Sequence, residues 1–379
     1  MIRNIFGSSR LLSLTVRLFL VCVVADYYPH VAHASVPDVQ QLQVKAEKGF
    51  VPQQLELAEA YFTGAGVAQD ARQAAYWFQK AAQAGNPEAE NLVGYLYETG
   101  VGVPADPARA LHWYQLAAAS GSSDATLNIG VLHVLGLGVK KDVQAAADYF
   151  QKAVDQGNGT GASYLGALNY SGVGMKQDIA AAERWYTLGA KMHDPISAYD
   201  LGSLYSTAPD HSHDPAKAVG YLREAADMGY VPAIHSLALL MIHHPEFAKS
   251  PQESRHLLEY AADAGYWRSS LLLGVLARDG DGTPADSKAA YYHFRVAILQ
   301  GGEAAQRLLH VDIDRLTATL GIEQTQAIDA NANSWFGQHH LTPAFVHTKG
   351  GRKKFFSEAP RPDLADLLHA GLTYSNPAS

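Results

Sequence analysis

Residues 88–121 read EAENLVGYLYETGVGVPADPARALHWYQLAAASG, and this stretch decides the fold. Asn86-Pro87 ahead of it supplies a capping side chain and a helix-compatible proline, so a helix starts there. Val93, Gly94, Leu96 and Tyr97 then have the close apolar spacing of one packed helix face. The Gly100-x-Gly102-Val turn ends that helix. Asp106-Pro107 caps a second one, which carries Ala110, Trp113 and Ala117 and ends at Gly121. The stretch is therefore a helix, a glycine turn and a second helix.

The same punctuation recurs outward in both directions at a constant step of 36. The Gly-x-Gly pair stands at Gly64/Gly66, Gly100/Gly102, Gly136/Gly138, Gly172/Gly174 and Gly280/Gly282. Aspartates follow in phase at Asp70, Asp106, Asp142, Asp178, Asp214 and Asp286, and closing glycines at Gly85, Gly121, Gly157, Gly229, Gly265 and Gly301. Three independent columns locked to one period mark a solenoid. The expected fold is all-α, a right-handed α-solenoid of about seven 36-residue helix-turn-helix repeats. The units are 52–87, 88–123, 124–159, 160–195, 196–231, 232–267 and 268–303. The fifth and sixth are degenerate, with Ala208 and His244 in place of the first turn glycine. Within a unit, Gly94, Gly130, Gly166, Gly202 and Gly274 let a neighbouring helix approach, as do Ala58 and Ala238. The large column Trp77, Trp113, Tyr149, Trp185 and Tyr221 is expected to fill the gap beside the small alanines.

The flanks complete the array. Residues 35–51 resemble a lone second helix that covers the open N-terminal end. Residues 304–340 form C-terminal capping helices, read as Glu303–Leu309, Asp312–Leu320 and Glu323–Phe336. From 341 to 379 periodicity gives way to Pro343, Gly350, Gly351, Pro360, Pro362 and Pro377, the composition of a flexible tail. Residues 1–34 combine Arg3, Arg10 and Arg17, an apolar run from Leu18 to Ala25, and the ending Ala32-His33-Ala34. This reads as a secretory signal peptide cleaved after Ala34, so the protein is expected to be exported, either periplasmic or secreted.

Composition narrows the function. The 379 residues carry 29 Lys plus Arg against 37 Asp plus Glu, a net charge of −8, so no uniform basic field exists to hold nucleic acid. Hydrophobic residues at 47% with charged residues at 17% suit a chain that buries a core. Cys22, the single cysteine, lies in the leader, which excludes a disulfide scaffold and cysteine nucleophiles from the body. No Ser-x-x-Lys, His-Glu-x-x-His or phosphate-cradling Gly-x-x-x-x-Gly-Lys occurs, and no strand precedes the Gly-x-Gly pairs as a nucleotide site requires. No cofactor and no catalytic residue is expected.

These motifs together resemble the Sel-one-like repeat family, relatives of the tetratricopeptide repeats; the pattern Ala-x-x-x-Leu-Gly-x-Leu-Tyr-x-x-Gly-x-Gly-Val followed by Asp-x-x-x-Ala-x-x-Trp-Tyr-x-x-Ala-Ala-x-x-Gly carries the resemblance, and residues 88–121 match it almost position by position. The resemblance implies a non-catalytic scaffold that binds protein partners, with roles in envelope assembly or host interaction among exported bacterial members.

The binding surface is expected on the concave face, along the stripe at positions 55, 59 and 62 and their equivalents. The candidates are Asn91, Tyr95, Glu98, Tyr170, Tyr199 and His235, tyrosine rings beside adaptable polar groups. In units three and six the stripe also reads Leu127, Val131, Val134 and Leu239, Ile242, residues equally suited to helix packing. The alternative partner is a cell-wall glycan stacked on the groove tyrosines. A separate metal site for zinc or copper is drawn from His211 and His213 in one degenerate turn and His243 and His244 in the next. Membrane contact is confined to the basic tail around Lys349, Arg352, Lys353 and Lys354.

Overall fold

The computed structural model describes residues 39–207, 214–250, 252–280 and 284–339, together with 346–347 and 353–354. The expected signal peptide at residues 1–34, His211, His213 and nearly all of the tail lie outside the described residues.

Sixteen α-helices follow one another among the described residues: α1 Val39–Glu47, α2 Val51–Thr63, α3 Ala71–Gln83, α4 Pro87–Thr99, α5 Pro107–Ala119, α6 Ser123–Leu135, α7 Val143–Asp155, α8 Gly159–Ser171, α9 Ile179–Lys191, α10 Pro195–Thr207, α11 Pro215–Asp227, α12 Val231–His243, α13 Glu253–Asp263, α14 Trp267–Asp279, α15 Ser287–Leu320 and α16 Ile322–His339. Two-residue strands, β1 Val346–His347 and β2 Lys353–Lys354, pair antiparallel. The fold is the expected all-α solenoid of stacked helix pairs. The chain divides into two compact units within α10, after Ser197.

In the first unit, through Ser197, even-numbered helices are the first of each pair and odd-numbered ones the second. α1 packs on α2 as the N-terminal cover, with Leu42 and Ala46 buried. Each second helix opens on its aspartate, whose side chain accepts from a backbone N–H of the first turn: Asp70 from Arg72 and Gln73, Asp106 from Arg109, Asp142 from Ala145 and Asp178 from Ala181. The aspartate's own N–H reaches back to a first-helix carbonyl, Asp106 to Tyr97 at 2.8 Å and Asp142 to His133 at 2.9 Å, which closes the turn. The two turn glycines do different work. Gly100 stops α4 in the left-handed region at φ 76°, where it costs glycine little. Gly102 is also left-handed, and a Cβ there would stand 2.0 Å from the Ala71 carbonyl oxygen, so it seats the turn on the previous unit's second helix. Val101, Val103, Leu137 and Val139 then pack onto the core.

The gap between paired helices is filled by a different column from the one expected. A Cβ on Gly94 would lie 2.5 Å from the Tyr114 ring, on Gly130 2.5 Å from Phe150, and on Gly166 2.4 Å from Tyr186. Tyr114, Phe150 and Tyr186 are among the largest fully buried side chains, whereas Trp113, Tyr149 and Trp185, one position earlier, are half-buried. One residue is about 100° of helix rotation. It carries the earlier column to the edge of the pair, where Tyr149 stacks on His133 with ring centroids 5.4 Å apart.

The second unit, from Ala198, keeps the plan with substitutions that explain its irregularities. Leu222 lies over Gly202 and Phe294 over Gly274. His244 ends α12 at φ −132°, outside the left-handed region, so a short 3₁₀ turn at Pro245–Phe247 follows. Without an aspartate cap, α13 is only 11 residues long, two fewer than α14. α15 runs 34 residues with a break at Gly302 (φ 54°, ψ −139°), and its second half is an eighth first helix: Leu309 is buried in the column of Leu237 and Leu273. Leu316 stands where the turn glycine belongs, so this helix continues to Leu320. The expected interruption between Leu309 and Asp312 is absent, because no glycine or proline intervenes and Arg278 of α14 holds Asp312 at 3.0 Å. α16 folds back on α15, tied by Arg295–Asp329 at 2.6 Å.

Candidate protein-binding face

The expected stripe takes two different forms. In the first unit its middle is closed. Asn91 is 4% exposed and its side-chain oxygen accepts from the Asn128 amide at 2.9 Å, joining α4 to α6. Tyr95 is 8% exposed, and Val131, Ser163 and Ala167 are buried. Asn91 and Tyr95 are therefore packing residues, a correction to their expected role as groove contacts. Glu98 is half-buried and accepts from the Tyr114 hydroxyl at 2.7 Å, which fixes its carboxylate against its own second helix. Tyr170 is half-buried on the last turn of α8.

In the second unit the tyrosine and histidine candidates are turned to internal partners. The Tyr199 ring meets Tyr230 edge-on with centroids 5.2 Å apart. His235 Nδ1 lies 2.9 Å from the Ser269 hydroxyl, and its ring packs 5.1 Å from Tyr266. Burial, with the positive charge of Arg268 adding to it, pushes the His235 pKa down to about 4, so the imidazole is neutral near pH 7. Ser269 is fully buried, so the pair ties α12 to α14. Tyr230 and Tyr266 occupy the cap position held by Asn86, Ser122 and Asn158 in the first unit, where those side chains cap backbone N–H groups.

What opens in the second unit is aliphatic. The column of Tyr95, Val131 and Ala167 continues as Leu239, Val275 and Val311 on α12, α14 and the second half of α15. Leu239 is 37% exposed and Val311 52%, with Leu308 beside them at 48%. Ile242 and Leu272 pack against one core cluster, and Val275 against the cluster around Leu309. Charges at the margin of the column are paired internally. Arg278 donates to both Asp279 oxygens at 2.7 and 2.9 Å and to Asp312 at 3.0 Å, contacts that raise its pKa further above neutrality, and Arg307 pairs with Glu303 at 2.7 Å. An apolar centre with a satisfied charged margin is the anatomy of a protein-docking surface. Leu239 and Ile242 were legible in the stripe. Val275, Leu308 and Val311 were missed, although one and two further steps of 36 from Leu239 reach Val275 and Val311.

Of the four histidines expected to hold a metal, two are described. His243 is exposed, and His244 Nδ1 lies 3.2 Å from Glu246. No group of three or more metal-ligating side chains forms among the described residues, and His211 and His213 lie outside them.

Comparison with known proteins agrees with the architecture. The family model described as the Sel1 repeat matches seven times, at residues 54–86, 87–122, 123–158, 160–194, 195–230, 232–266 and 268–302. Among solved structures, a Sel1 repeat protein from Oxalobacter formigenes is similar at 27% identity and a TM-score of 0.50, covering 61% of this chain and 100% of that one. A protective antigen of uropathogenic Escherichia coli with an SLR fold is 22% identical, with a TM-score of 0.40, over 83% of this chain and 76% of its own. An immunity protein from Pseudomonas aeruginosa, Pa5087, is 19% identical, with a TM-score of 0.38, over 71% and 84%. No curated protein matches. Seven consecutive matches, on helix pairs whose glycine turns and aspartate caps keep one period, show that this chain belongs to the Sel1 repeat family.

Proposed function

We propose that this chain is an exported, non-catalytic adaptor that takes protein partners on the aliphatic face of α12, α14 and the second half of α15. The observation that carries this reading is the exposure of Leu239 on α12 and of Leu308 and Val311 on the second half of α15, whose repeat equivalents on α4, α6 and α8 are buried. Membership of a family of helical scaffolds supports it. Binding on a preformed face avoids the ordering cost that a flexible segment incurs. Export rests on the sequence pattern of residues 1–34.

The test places a photoreactive side chain at Leu239 or Val311 in the full chain, in an envelope extract, with the exposed Lys288 position as control. Expected is one dominant crosslinked protein at both face positions and none at Lys288. Equal labelling at all three, or labelling only of cell-wall glycan, would overturn the reading. Export is checked separately: the intact mass of the cell-derived protein should correspond to a chain beginning at Ser35, recovered outside the cytoplasm.

A further inference from the structure

Glu90 is a carboxyl at a position that calls for a hydrogen-bond donor. It lies on the first turn of α4, 6% exposed, and its Oε2 is buried with no hydrogen-bond partner among the described residues. A buried acceptor left in this way costs free energy, and an ionised one costs more. The repeat equivalents show what the position faces. One period earlier, Gln54 donates its side-chain amide to the Ala46 carbonyl at 3.1 Å, and that carbonyl also takes the Gly49 N–H at the end of its helix. In the seventh unit the equivalent Ser270 is joined at 2.7 Å to Gln300, whose amide donates to the Ala262 carbonyl at 2.7 Å. The Ala262 carbonyl likewise takes the Gly265 N–H. Ala46 and Ala262 stand at one repeat position, and Ala82 holds it in the unit before Glu90. Ala82 is buried, and its carbonyl takes the Gly85 N–H in the same way.

We propose that the Glu90 carboxyl is a proton-operated latch between the first two repeats: protonated, it donates to the Ala82 carbonyl across the joint of α3 and α4, and ionised, it loses that bond and loosens the joint. A protonated carboxyl has one O–H donor and an ionised one has none, so the proton alone decides whether position 90 can do what Gln54 does. Burial raises the Glu90 pKa above its ordinary value, and no neighbouring charge adds to the effect. The groups on the surrounding helices are exposed or turned to other partners. On α3, Arg72 is exposed and Lys80 lies over the Tyr76 ring. On α5, His112 is exposed, Arg109 lies over Tyr97 and beside Asp106, and the Tyr114 hydroxyl donates to Glu98 of α4. On α6, Asp124 takes the Asn158 amide and His133 stacks on Tyr149. On α2, Glu56 is exposed, Glu59 is half-buried and Tyr61 packs on the core. Glu88, two residues before Glu90, is exposed and lies about 200° round the helix.

A raised folded-state pKa means that the folded chain keeps a proton which the unfolded chain has lost. The latch is therefore fully present below the ordinary glutamate value of about 4.3, and its contribution is lost as pH rises through the folded-state pKa. The experiment compares urea midpoints of the full chain and its Glu90→Gln variant from about pH 5 to pH 8. The variant keeps a donor at every pH, as Gln54 does, and both proteins carry the same histidines, whose contribution cancels. Expected is a parent midpoint that falls progressively below that of the variant as pH rises. Glu90→Met, of similar volume and without a donor, should have a lower midpoint than Glu90→Gln throughout and run parallel to it. Infrared spectra of chains carrying isotope-labelled glutamate read the proton directly. In the parent, a protonated-carboxyl band should persist after the exposed glutamates have ionised; Glu88→Gln should keep it and Glu90→Gln should lack it. Parent and Glu90→Gln midpoints that run parallel, a methionine variant at least as stable as the glutamine one, or the absence of a persisting carboxyl band in the parent would each overturn the proposal.

Discussion

At position 94 the missing methyl group sets how closely α4 approaches α5. A Cβ there would come within 2.5 Å of two Tyr114 ring atoms, and Tyr114 is fully buried. Gly94→Ala should therefore lower the urea unfolding free energy by about 1–3 kcal/mol through overpacking, against the gain in helix propensity. Gly220 supplies the control: it lies inside α11 with nothing within 4 Å of an added Cβ, so Gly220→Ala should stabilise by up to about 1 kcal/mol. A third position breaks its own column. Gly85, Gly121, Gly157, Gly229 and Gly265 all lie at φ between 80° and 91°, and His193 takes their place at φ 60°. It is the only non-glycine residue with positive φ among the described residues. His193→Gly should raise stability by about 1 kcal/mol, read from the denaturation midpoint. The glycine columns were legible in the sequence because each marks a requirement of the backbone. The aromatic that fills each gap was not, since adjacent columns of large residues look alike until the rotation of the helix is known.

The helices of the second unit differ from those of the first in where they stop and in what they bury. Where glycine is replaced, at His244 and Leu316, the chain makes a 3₁₀ turn in one case and an unbroken helix in the other. Period alone predicted neither result. Two histidines have entered positions that hold other residues elsewhere: His235 on α12 and His293 on α15. Burial lowers both pKa values to about 4, and the charges of Arg268 and Arg255 add to the effect. The folded state thus prefers neutral imidazole, while the unfolded chain takes up protons near pH 6.5. Stability is fully present above pH 6.5 and is lost as pH falls toward 4, by at most about 3 kcal/mol for each histidine. Urea midpoints at pH 7 and pH 5 should show this loss. His293→Phe should flatten the profile, and a slope unchanged by it would assign the acid sensitivity elsewhere. The candidate site shows the same limit on sequence reading. The stripe positions were correctly spaced, but exposure depends on what the neighbouring helix presents. Asn91 faces Asn128 and is closed, while Val311 sits on a helix that no further repeat covers.

Within each compact unit, the helices pack chiefly on those next to them in sequence, so stability there is close to a sum over nearest neighbours. Such an array tolerates loss of a whole period better than loss of half of one. Removing residues 124–159 joins Ser123 to Thr160 in phase, and the shortened chain should keep its helix content per residue by circular dichroism. Removing 124–141 takes α6 without α7, strips the apolar faces of both neighbours, and should give an aggregating chain. The in-phase deletion has one defined defect. Asn91 would face Tyr164, which occupies the repeat position of Asn128, and its buried amide would lose its partner at a cost of about 1–3 kcal/mol. The same substitution should then act with opposite sign in the two backgrounds. Asn91→Leu orphans Asn128 in the parent and destabilises it, whereas in the deletion it replaces an orphaned amide with an apolar contact and stabilises. Urea denaturation of the four proteins reads the result as one double-mutant cycle, and equal effects in both backgrounds would show that the amide pair does not couple neighbouring repeats.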